Sequence, residues 1–464
     1  MGNMASGKKD ERNTMKEVQG KKVTVLGAAR SGLAAARLLK EKGARVFVSD
    51  SAEAHRKEQA REFLEKEGID FEFGGHSGRV FEADFCVLSP GIPVASQIVQ
   101  RVQQKGIPIY SEIEVASWFF RGPIIAVTGS NGKTTTTTLI GAMLRQMDER
   151  AVVAGNIGQP FADFVQDSSE DQWAVVEVSS FQLETIESFH PQQVVLLNFA
   201  PNHLDRYPDY EAYKNAKWRV TKNLSPQDVF IFNAADEEIA KRLSRLTCRK
   251  SGFHIDGDTT ADAYFKQNAL WIYGEKWLDV QEMGLRGLHN YMNAMAAILA
   301  ALNAGVPREA IVHVLRTFRG VEHRLEFVRE LDGVKFINDS KATTVESLYY
   351  ALKSFEQPII LIAGGKDKGS DFTRLNATIK ERVKTLILIG RAASKMEKAW
   401  QGLKPIVKAD TLQDAVQKAF GRAERGDVVL LSPACASFDM FNDFEDRGRQ
   451  FKQIVNALKG KHEA

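Results

Sequence analysis

One stretch in the first third of the chain constrains the fold more than any other. Residues 123–136 read PIIAVTGSNGKTTT: an apolar run of strand length, a glycine turn, and threonines that lead into a helical pattern from Leu139. A strand, tight turn and helix start direct successive backbone N–H groups at one point, beside the positive end of a helix. The stretch therefore predicts a phosphate-binding loop between a buried strand and a helix.

The residues of this loop have the chemistry that phosphate binding needs. Gly129 and Gly132 let the backbone approach a phosphate closely, Lys133 adds a cation, and Thr134 offers a hydroxyl to Mg²⁺. The common pattern G-x-x-x-x-G-K-[ST] requires glycine at position 127, where this chain has Val127. The loop therefore differs from the usual ATPase version.

Composition bounds the class of protein. A chain of 464 residues suits about three domains. A net charge of +3 argues against a broad nucleic-acid-binding face, and apolar runs such as residues 358–363 are too short to cross a membrane. Three widely spaced cysteines, without a C-x-x-C pair, are typical of a reducing compartment, so a cytoplasmic location is expected.

The N-terminal part predicts a Rossmann-like domain after a polar, disordered leader at residues 1–20, with Met15 as an alternative start. A strand at residues 22–26 is followed by a glycine turn, a helix and a second strand that ends at Asp50. Because Ala29 replaces the middle glycine of the dinucleotide fingerprint, a nucleoside diphosphate at Arg30 and Ser31 fits as well or better. The turn at residues 89–91 is equally compatible with a structural or a ligand-binding role.

The central part adds further candidates. Glu177 ends a buried strand, where a magnesium ligand of the Walker-B kind is favoured over a surface charge. His203 follows the next strand and is a candidate ligand, whereas Lys217, on a helix, would ordinarily be a solvated charge. Asn290 and Asn293 share one helix face and could pair with an adenine edge or simply cap the helix.

The last third repeats one pattern four times: an apolar strand followed by polar residues. These strands precede residues 338–344, 364–369, 390 and 432–439. Open α/β sheets bind ligands at the carboxyl ends of their strands. The predicted fold is α/β with three domains in series: Rossmann-like at 21–112, P-loop ATPase-like with a mostly parallel sheet at 113–320, and Rossmann-like at 321–464. Residues 108–121 are expected to link the first two.

Several motifs together resemble the Mur ligases, in the same order and from about Val23 to the C-terminus. They are Gly129–Thr135, Gly155–Gly158, His289–Asn293, His323–Arg324 and Asn338–Thr343. Residues 432–439 and 444–448 resemble the branch of that family that adds D-glutamate. The segment 198–203 departs from the family, because Asn202 replaces a usual acidic residue.

The resemblance implies site residues, which are named here by ligand. ATP would be bound by Gly129, Ser130, Asn131, Gly132, Lys133, Thr134, Thr135, Asn290, Asn293, Arg324 and Asp339. The UDP-linked substrate would be bound by Arg30, Ser31, Asp50, Ser89, Gly91, Asn156 and His203. D-Glutamate would be bound by Thr343, Lys368, Ser437 and Phe438. Mg²⁺ would be bound by Thr134, Glu177, His203 and Lys217, the last as a carbamate. Lys133, His203 and Lys217 would be catalytic.

The implied activity is ATP-dependent amide formation, through an acyl phosphate, between UDP-N-acetylmuramoyl-L-alanine and D-glutamate in the synthesis of peptidoglycan precursors. A monomer without nucleic-acid or membrane partners is expected. The alternatives are another Mur ligase or a ligase like folylpolyglutamate synthetase. From other classes, an NAD-dependent oxidoreductase is disfavoured by Ala29 and the phosphate loop, and a non-catalytic P-loop regulator would bind ATP without releasing phosphate.

Overall fold

The structure, a computed structural model, describes residues 17–200, 206–367 and 369–461. Most of the predicted leader, His203 and Lys368 therefore lie outside the described residues. The chain divides into two compact units, residues 1–318 and 319–464. Within the described residues, every helix is too short or too polar to cross a membrane.

The first unit begins with a five-stranded parallel sheet in the order β3-β2-β1-β4-β5. Its strands are β1 (Lys22–Leu26), β2 (Arg45–Asp50), β3 (Asp70–Phe73), β4 (Phe85–Leu88) and β5 (Ile109–Ser111). Its helices are α1 (Arg30–Glu41), α2 (Glu58–Lys66), α3 (Gln97–Gln104) and α4 (Glu112–Ser117). The chain leaves the central strand β1 on one side and returns through β4 on the other, which creates a crevice between the loops after β1 and β4.

The stretch at 108–121, expected to be a link, is instead structured. Its first part is the edge strand β5, which pairs with β4, and its second part is helix α4. The buried Glu114 carboxylate accepts hydrogen bonds from the backbone N–H groups of Glu187, Ser188 and Phe189. These bonds join α4 to the polypeptide that leads into the second sheet.

The second sheet has nine strands in the order β14-β13-β12-β11-β10-β9-β6-β8-β7, parallel except for an antiparallel meander at β12–β14. Its strands are β6 (Ile124–Thr128), β7 (Val152–Gly155), β8 (Ala174–Glu177), β9 (Gln193–Leu196), β10 (Val229–Asn233), β11 (Arg249–His254), β12 (Ala263–Lys266), β13 (Ala269–Ile272) and β14 (Glu275–Asp279). Its helices are α5 (Lys133–Leu144), α6 (Ser180–Leu183), α7 (Tyr210–Trp218), α8 (Glu237–Ala240), α9 (Leu288–Asn303) and α10 (Arg308–Thr317).

Strand β6 lies inside this sheet, between β9 and β8, and all five of its residues are buried. A strand with both faces covered by protein reads as a continuous apolar run rather than an alternating one. This burial explains the sequence pattern that precedes the phosphate loop.

The second unit contains a six-stranded sheet in the order β15-β16-β20-β17-β18-β19, in which only β15 is antiparallel to its neighbour. Its strands are β15 (Glu326–Leu331), β16 (Val334–Asn338), β17 (Ile359–Gly364), β18 (Val383–Ile389), β19 (Ile406–Lys408) and β20 (Val428–Leu431). Its helices are α11 (Val345–Lys353), α12 (Asn376–Arg382), α13 (Ala393–Trp400), α14 (Leu412–Arg422) and α15 (Phe444–Ala457).

Three mostly parallel sheets, each covered by helices, confirm the predicted α/β fold class. The four strands predicted in the last third are β16, β17, β18 and β20, which lie in one parallel block. Their carboxyl ends therefore meet at one edge of the sheet. The residue limits proposed for the domains stay predictions.

Candidate active site

The phosphate loop has the backbone geometry that its glycines allow. Gly129 has φ 145° and Gly132 has φ 84°, both in the region that favours glycine. A Cβ atom on Gly132 would lie 2.3 Å from Oδ1 of Asn293, so the close approach also excludes a side chain. Helix α5 begins directly after Gly132 without a side-chain cap. Its first N–H groups are therefore available to an anion.

Asn198, after β9, fixes one side of the loop. Its carbonyl accepts from the backbone N–H of Ser130 (3.0 Å), and its Oδ1 accepts from the backbone N–H of Asn131 (2.9 Å). Its Nδ2 donates to the carbonyl of Asn131 (3.2 Å). The N–H groups of Ser130 and Asn131 are thus already bonded to Asn198. The backbone N–H groups that remain as candidate donors to a phosphate are those at the start of α5.

The Lys133 ammonium group is folded back over the loop. It donates to the carbonyl oxygens of Gly129 and Ser130, each at 3.0 Å. This position holds the charge at the mouth of the loop rather than in bulk solvent. A lysine so placed can follow the terminal phosphates of a nucleotide.

Glu177 ends β8 next to the loop strand, as the sequence predicted, and it is almost fully buried. Its Oε1 accepts a hydrogen bond from Nδ2 of Asn156 (2.9 Å). Its Oε2 is buried and has no hydrogen-bond partner among the described residues. Asn156 thus orients the carboxylate of Glu177, and its predicted contact with the acceptor substrate stays a prediction.

Lys217 lies on α7 and is 2% exposed, so the solvated position expected from composition is wrong. The same helix reaches the phosphate loop through Tyr213, whose hydroxyl is 3.0 Å from Oγ of Ser130. Nζ of Lys217 lies 5.0 Å from the centroid of the Tyr213 ring. Helix α7 therefore holds Lys217 behind the loop.

The electrostatic surroundings of Lys217 connect it to the other two charged candidates. Burial, and then the like charge of Lys133, lower the pKa of Lys217 well below its ordinary value. Glu177 acts in the opposite direction without reversing the shift. The shift increases the share of the neutral amine, which is the form that reacts with carbon dioxide.

These side chains can bind Mg²⁺ only if water and phosphate oxygens supply the rest of its ligands. Among the described residues, no three His, Cys, Asp or Glu side chains converge on a possible metal position. The buried, unpartnered Oε2 of Glu177 is nevertheless a suitable ligand atom. Mg²⁺ commonly takes one or two carboxylates and completes its shell with water and phosphate oxygens, so the site is compatible with it.

The two asparagines of α9 share one face, as their spacing predicted. Nδ2 of Asn293 donates to Oδ1 of Asn290 (3.4 Å), and Asn290 donates onward to the carbonyl of Arg286 (2.9 Å). Asn293 is buried against Gly132. The structure therefore brings Asn293 to the phosphate loop, and a contact with adenine stays a prediction.

The first sheet forms a second candidate site at its crevice. Ser89 donates from Oγ to the carbonyl of Gly27 (2.9 Å), which joins the loops after β1 and β4. Arg30 and Ser31 open α1 there, and Arg30 is exposed. Gly91 is also exposed. A nucleoside diphosphate could reach these residues at the helix N-terminus.

The carboxylate of Asp50, which was predicted to bind the UDP-linked substrate, is largely occupied by bonds within the protein. Its carboxylate accepts from the backbone N–H groups of Ala28 and Ala52, both at 2.8 Å, and lies 2.7 Å from Nζ of Lys57. Burial raises the pKa of Asp50, but the bonds from Lys57, Ala52 and Ala28 outweigh it and lower the pKa overall. Asp50 thus stays ionised and supports the glycine turn.

In the second unit, Asp339 follows β16 and is buried. It accepts hydrogen bonds from Oγ of Ser432 (2.8 Å) and from the backbone N–H of Leu325 (3.2 Å). Burial raises the pKa of Asp339 to about 7, although the charge of Arg324 acts against the rise. The structure brings Arg324 and Asp339 close together within the second unit, and their contact with a nucleotide stays a prediction.

The loops predicted to hold D-glutamate are adjacent in this unit. The backbone N–H of Ala434 donates to the carbonyl of Ala342 (2.8 Å), which places the loop of Thr343 beside that of Ser437 and Phe438. Ser437 is buried, whereas Phe438 is 64% exposed. The structure therefore groups three of the four predicted residues, and Lys368 lies outside the described part of the chain.

The fully buried Arg447 connects these two loops. It lies within the motif at residues 444–448, but it was not among the predicted site residues. Its guanidinium donates to Oγ and the carbonyl of Ser340, both at 2.8 Å, and to the carbonyl of Cys435 (3.3 Å). Burial lowers its pKa to about 10. The available signal was spacing, because Arg447 precedes the buried Phe451 by four residues and therefore shares its helix face.

Comparison with known proteins identifies this combination of folds. The Mur ligase middle domain model matches residues 127–301, the Mur ligase, glutamate ligase domain model matches residues 323–435, and the MurD N-terminal domain model matches residues 22–98. The protein is thus a multidomain α/β nucleotide-binding protein of the ligase type. It belongs to the Mur ligase family.

The relatives include UDP-N-acetylmuramoylalanine–D-glutamate ligase of Salinibacter ruber, which is 42% identical over 96% of this chain and 100% of its own. Among solved structures, UDP-N-acetylmuramate–alanine ligase MurC of Thermotoga maritima aligns with a TM-score of 0.60 at 18% identity, over 95% of this chain and 100% of its own. MurF ligase of the same organism, in complex with ADP, aligns with a TM-score of 0.54 at 16% identity, over 95% of this chain and 96% of its own. At such identities the two structures support the fold.

The contact between Gly132 and Asn293 leads to a first prediction. We expect Gly132→Ala to weaken ATP binding about tenfold or more, because the new Cβ would clash with Asn293 and strain a positive φ. Isothermal titration with ATP measures the change. Gly106→Ala is the matched control, since Gly106 has φ 69° and open space around its Cβ position. Equal ATP affinities in the two variants would refute the steric role of Gly132.

A second prediction concerns the dependence of stability on pH. Because the pKa of Asp339 rises from 3.8 to about 7, the folded state binds this proton more tightly than the unfolded chain. The stability that the folded state gains from protonated Asp339 is present below pH 3.8 and is lost as pH rises towards 7. We therefore expect the Tm difference, Asp339→Asn minus wild type, to increase as pH is raised across this interval. The exposed Asp410→Asn is the control, and parallel Tm curves for Asp339→Asn and the wild type would contradict the prediction.

Proposed function

We propose that this protein catalyses the ATP-dependent addition of D-glutamate to UDP-N-acetylmuramoyl-L-alanine, with release of ADP and phosphate. The observation that carries the proposal is the convergence of Lys133, Glu177 and Lys217 at a phosphate loop. The full-length similarity to a relative named for this activity supports the choice of substrates. The product would be a precursor of peptidoglycan.

The reaction needs an activated carboxylate. Oxide is a poor leaving group, so the alanyl carboxylate attacks the γ-phosphorus of ATP, the bond from γ-phosphorus to the bridging oxygen breaks, and ADP leaves. The amine of D-glutamate then attacks the acyl phosphate, loses a proton and expels phosphate, which leaves the amide. In the first step two anions must approach each other, so charge stabilisation matters more than a nucleophilic side chain.

The chain's own residues supply this stabilisation. The N–H groups at the start of α5 face the phosphates, and Lys133 moves from the loop carbonyls to the transferring phosphoryl group. Bound Mg²⁺ would neutralise phosphate charge, held by Thr134, Glu177, His203 and carbamylated Lys217. Asn156 occupies Oε1 of Glu177, so Oε2 would be the atom of this carboxylate that binds Mg²⁺.

The environment of Lys217 supports the proposal that this residue is carbamylated. A neutral amine adds to carbon dioxide and releases one proton, and the product is an anionic carbamate. Burial and Lys133 favour the neutral amine beforehand, and the same Lys133 charge then attracts the anion formed. The modification turns a cation that repels Lys133 into an oxygen ligand for a metal.

The remaining predicted contacts belong to the two other substrates. Arg30, Ser31, Ser89 and Gly91 would hold the UDP moiety at the crevice of the first sheet, with Asp50 supporting the turn. Thr343, Lys368, Ser437 and Phe438 would receive D-glutamate, while Asn290, Asn293, Arg324 and Asp339 would complete nucleotide binding. We also propose that the enzyme is cytoplasmic, because its substrates would be made from cytoplasmic nucleotides, and that it is a monomer.

One assay tests the function. Phosphate release is measured with ATP, Mg²⁺ and UDP-N-acetylmuramoyl-L-alanine across a panel of amino acids that contains both enantiomers of glutamate. Release that depends on D-glutamate is the expected result. Release with another amino acid would indicate another Mur ligase. A parallel assay, in which a folate replaces the UDP-linked acceptor, tests the folylpolyglutamate alternative by the same readout. The absence of phosphate release with every amino acid of the panel would reject the proposal.

A further inference from the structure

Arg206 connects the two sheets of the first unit at the crevice of the first sheet. The residue lies between β9 and α7, in the part of the chain that forms the second sheet and its helices. Its Nη1 donates to the carbonyl of Pro90 (2.7 Å), and its Nη2 donates to the carbonyl of Ile92 (3.2 Å). Both acceptors lie in the turn after β4, which forms one wall of the crevice.

The guanidinium is itself held in place from the second sheet. It stacks on the Phe181 ring, with its Cζ atom 3.7 Å from the ring centroid. Its Nη2 lies 3.6 Å from Oε2 of Glu184, and the Arg206 side chain is 14% exposed. Phe181 is part of α6, and Glu184 follows that helix directly. The Phe181 ring thus fixes the plane of the guanidinium, and the Glu184 carboxylate balances its charge.

The turn that Arg206 binds is in tight contact with the glycine turn after β1. A Cβ on Gly27 would lie 2.9 Å from Cβ of Ser89 and 3.1 Å from Cδ1 of Ile92. Ser89 also donates to the carbonyl of Gly27. A displacement of Ile92 would therefore be transmitted to the start of α1, where Arg30 and Ser31 are placed.

We propose that Arg206 is a positioning residue for the UDP-linked substrate, acting across the two sheets by holding the turn of residues 89–92 against the crevice. The inference rests on the proposed function, because that function places the UDP moiety at this crevice. Arg206 is assigned no contact with reacting atoms. Its two hydrogen bonds end on backbone carbonyls, so what it controls is the position of the crevice wall.

The bidentate geometry makes Arg206→Lys the informative substitution. Lysine keeps the charge but cannot reach two carbonyls in one plane or stack on Phe181 in the same way. We expect the Kd for UDP-N-acetylmuramoyl-L-alanine, measured by isothermal titration without ATP, to rise about tenfold, which is the effect of losing about one charge-assisted hydrogen bond. The Kd for ATP should stay unchanged. In turnover, KM for the UDP-linked substrate should rise more than kcat falls.

Arg308→Lys is the matched control. Arg308 also donates to a carboxylate (Glu275, 3.0 Å) and a carbonyl (Lys276, 3.1 Å) and lies over a Trp277 ring at 4.8 Å. These partners belong to the antiparallel end of the second sheet, away from β4. The control should bind both ligands like the wild type. Phe181→Leu removes the ring beneath the guanidinium, together with its ring contact to Tyr207, and keeps both hydrogen bonds of Arg206. It should shift the Kd for the UDP-linked substrate in the same direction by a smaller factor.

Two results would overturn the inference. One is wild-type affinity of Arg206→Lys for the UDP-linked substrate. The other is an equal loss of affinity for ATP and the UDP-linked substrate together with a lower Tm, which indicates a general structural role. The proposed function is judged separately by phosphate release: a wild-type protein that binds the UDP-linked substrate but releases no phosphate would refute the function while the binding comparison still decides the role of Arg206.

Discussion

Replacing Lys133 by alanine should reduce ATP-dependent phosphate release by about a thousandfold, a loss of the size seen when a single stabilising group at a developing charge is removed. The ammonium group is the cation that the structure places at the mouth of the phosphate loop. Its removal leaves the two anions of the first chemical step to approach each other without that charge. Initial rates of phosphate release, with all three substrates saturating, measure the effect.

The fold should survive this substitution. The bonds from Lys133 to Gly129 and Ser130 lie within the loop itself, and the buried core of the second sheet is made by other residues. Circular dichroism and Tm should therefore match the wild type. Lys222→Ala, which removes only an ion pair with Glu187, is the control and should retain activity. Near wild-type turnover by Lys133→Ala would reject the assigned role of the loop.

Lys217→Ala should also abolish turnover, because it removes the group that we propose to be carbamylated. In protein incubated with ¹³C-bicarbonate, the wild type should show a carbamate carbon resonance by NMR that the variant lacks. The amine must be neutral to react, and burial and Lys133 lower its pKa. Since carbon dioxide addition releases a proton, occupancy of the carbamate should fall as pH is lowered.

Lys214 provides the matched control for this experiment. It lies on the same helix and is also buried, but Glu211 and then Glu238 raise its pKa. Its amine is therefore protonated and should not react with carbon dioxide. Lys214→Ala should keep the carbamate resonance. A wild-type enzyme that turns over but shows no such resonance, at saturating bicarbonate, would disprove the modification.

The strands and helix starts were predictable from the sequence because burial on both faces leaves a simple apolar pattern. The strand before the phosphate loop, the position of Glu177 and the shared face of Asn290 and Asn293 all follow from such patterns. The confirmed fold class rests on the same signal. Strand β5 was missed because three residues at a sheet edge are too few to show a period.

The contacts that shape the candidate sites were less predictable, because they join residues far apart in the chain. Asn198 reaches Asn131, Arg206 reaches Pro90, and Arg447 reaches Ser340. Each is a polar side chain bonded to backbone, and backbone groups carry no sequence signature. The burial of Lys217 was equally hard to predict, because its helix contacts the phosphate loop through the bond between the Tyr213 hydroxyl and Oγ of Ser130, which also lie far apart in the chain.

The bonds from Asn198 to the phosphate loop have a consequence for the energetics of nucleotide capture. A glycine-containing loop that is free in solution must surrender conformational entropy when a ligand orders it. Here three hydrogen bonds from one asparagine order residues 130 and 131 before any nucleotide arrives. The loop is preorganised, so its loss of conformational entropy occurs during folding and does not weaken the binding of ATP.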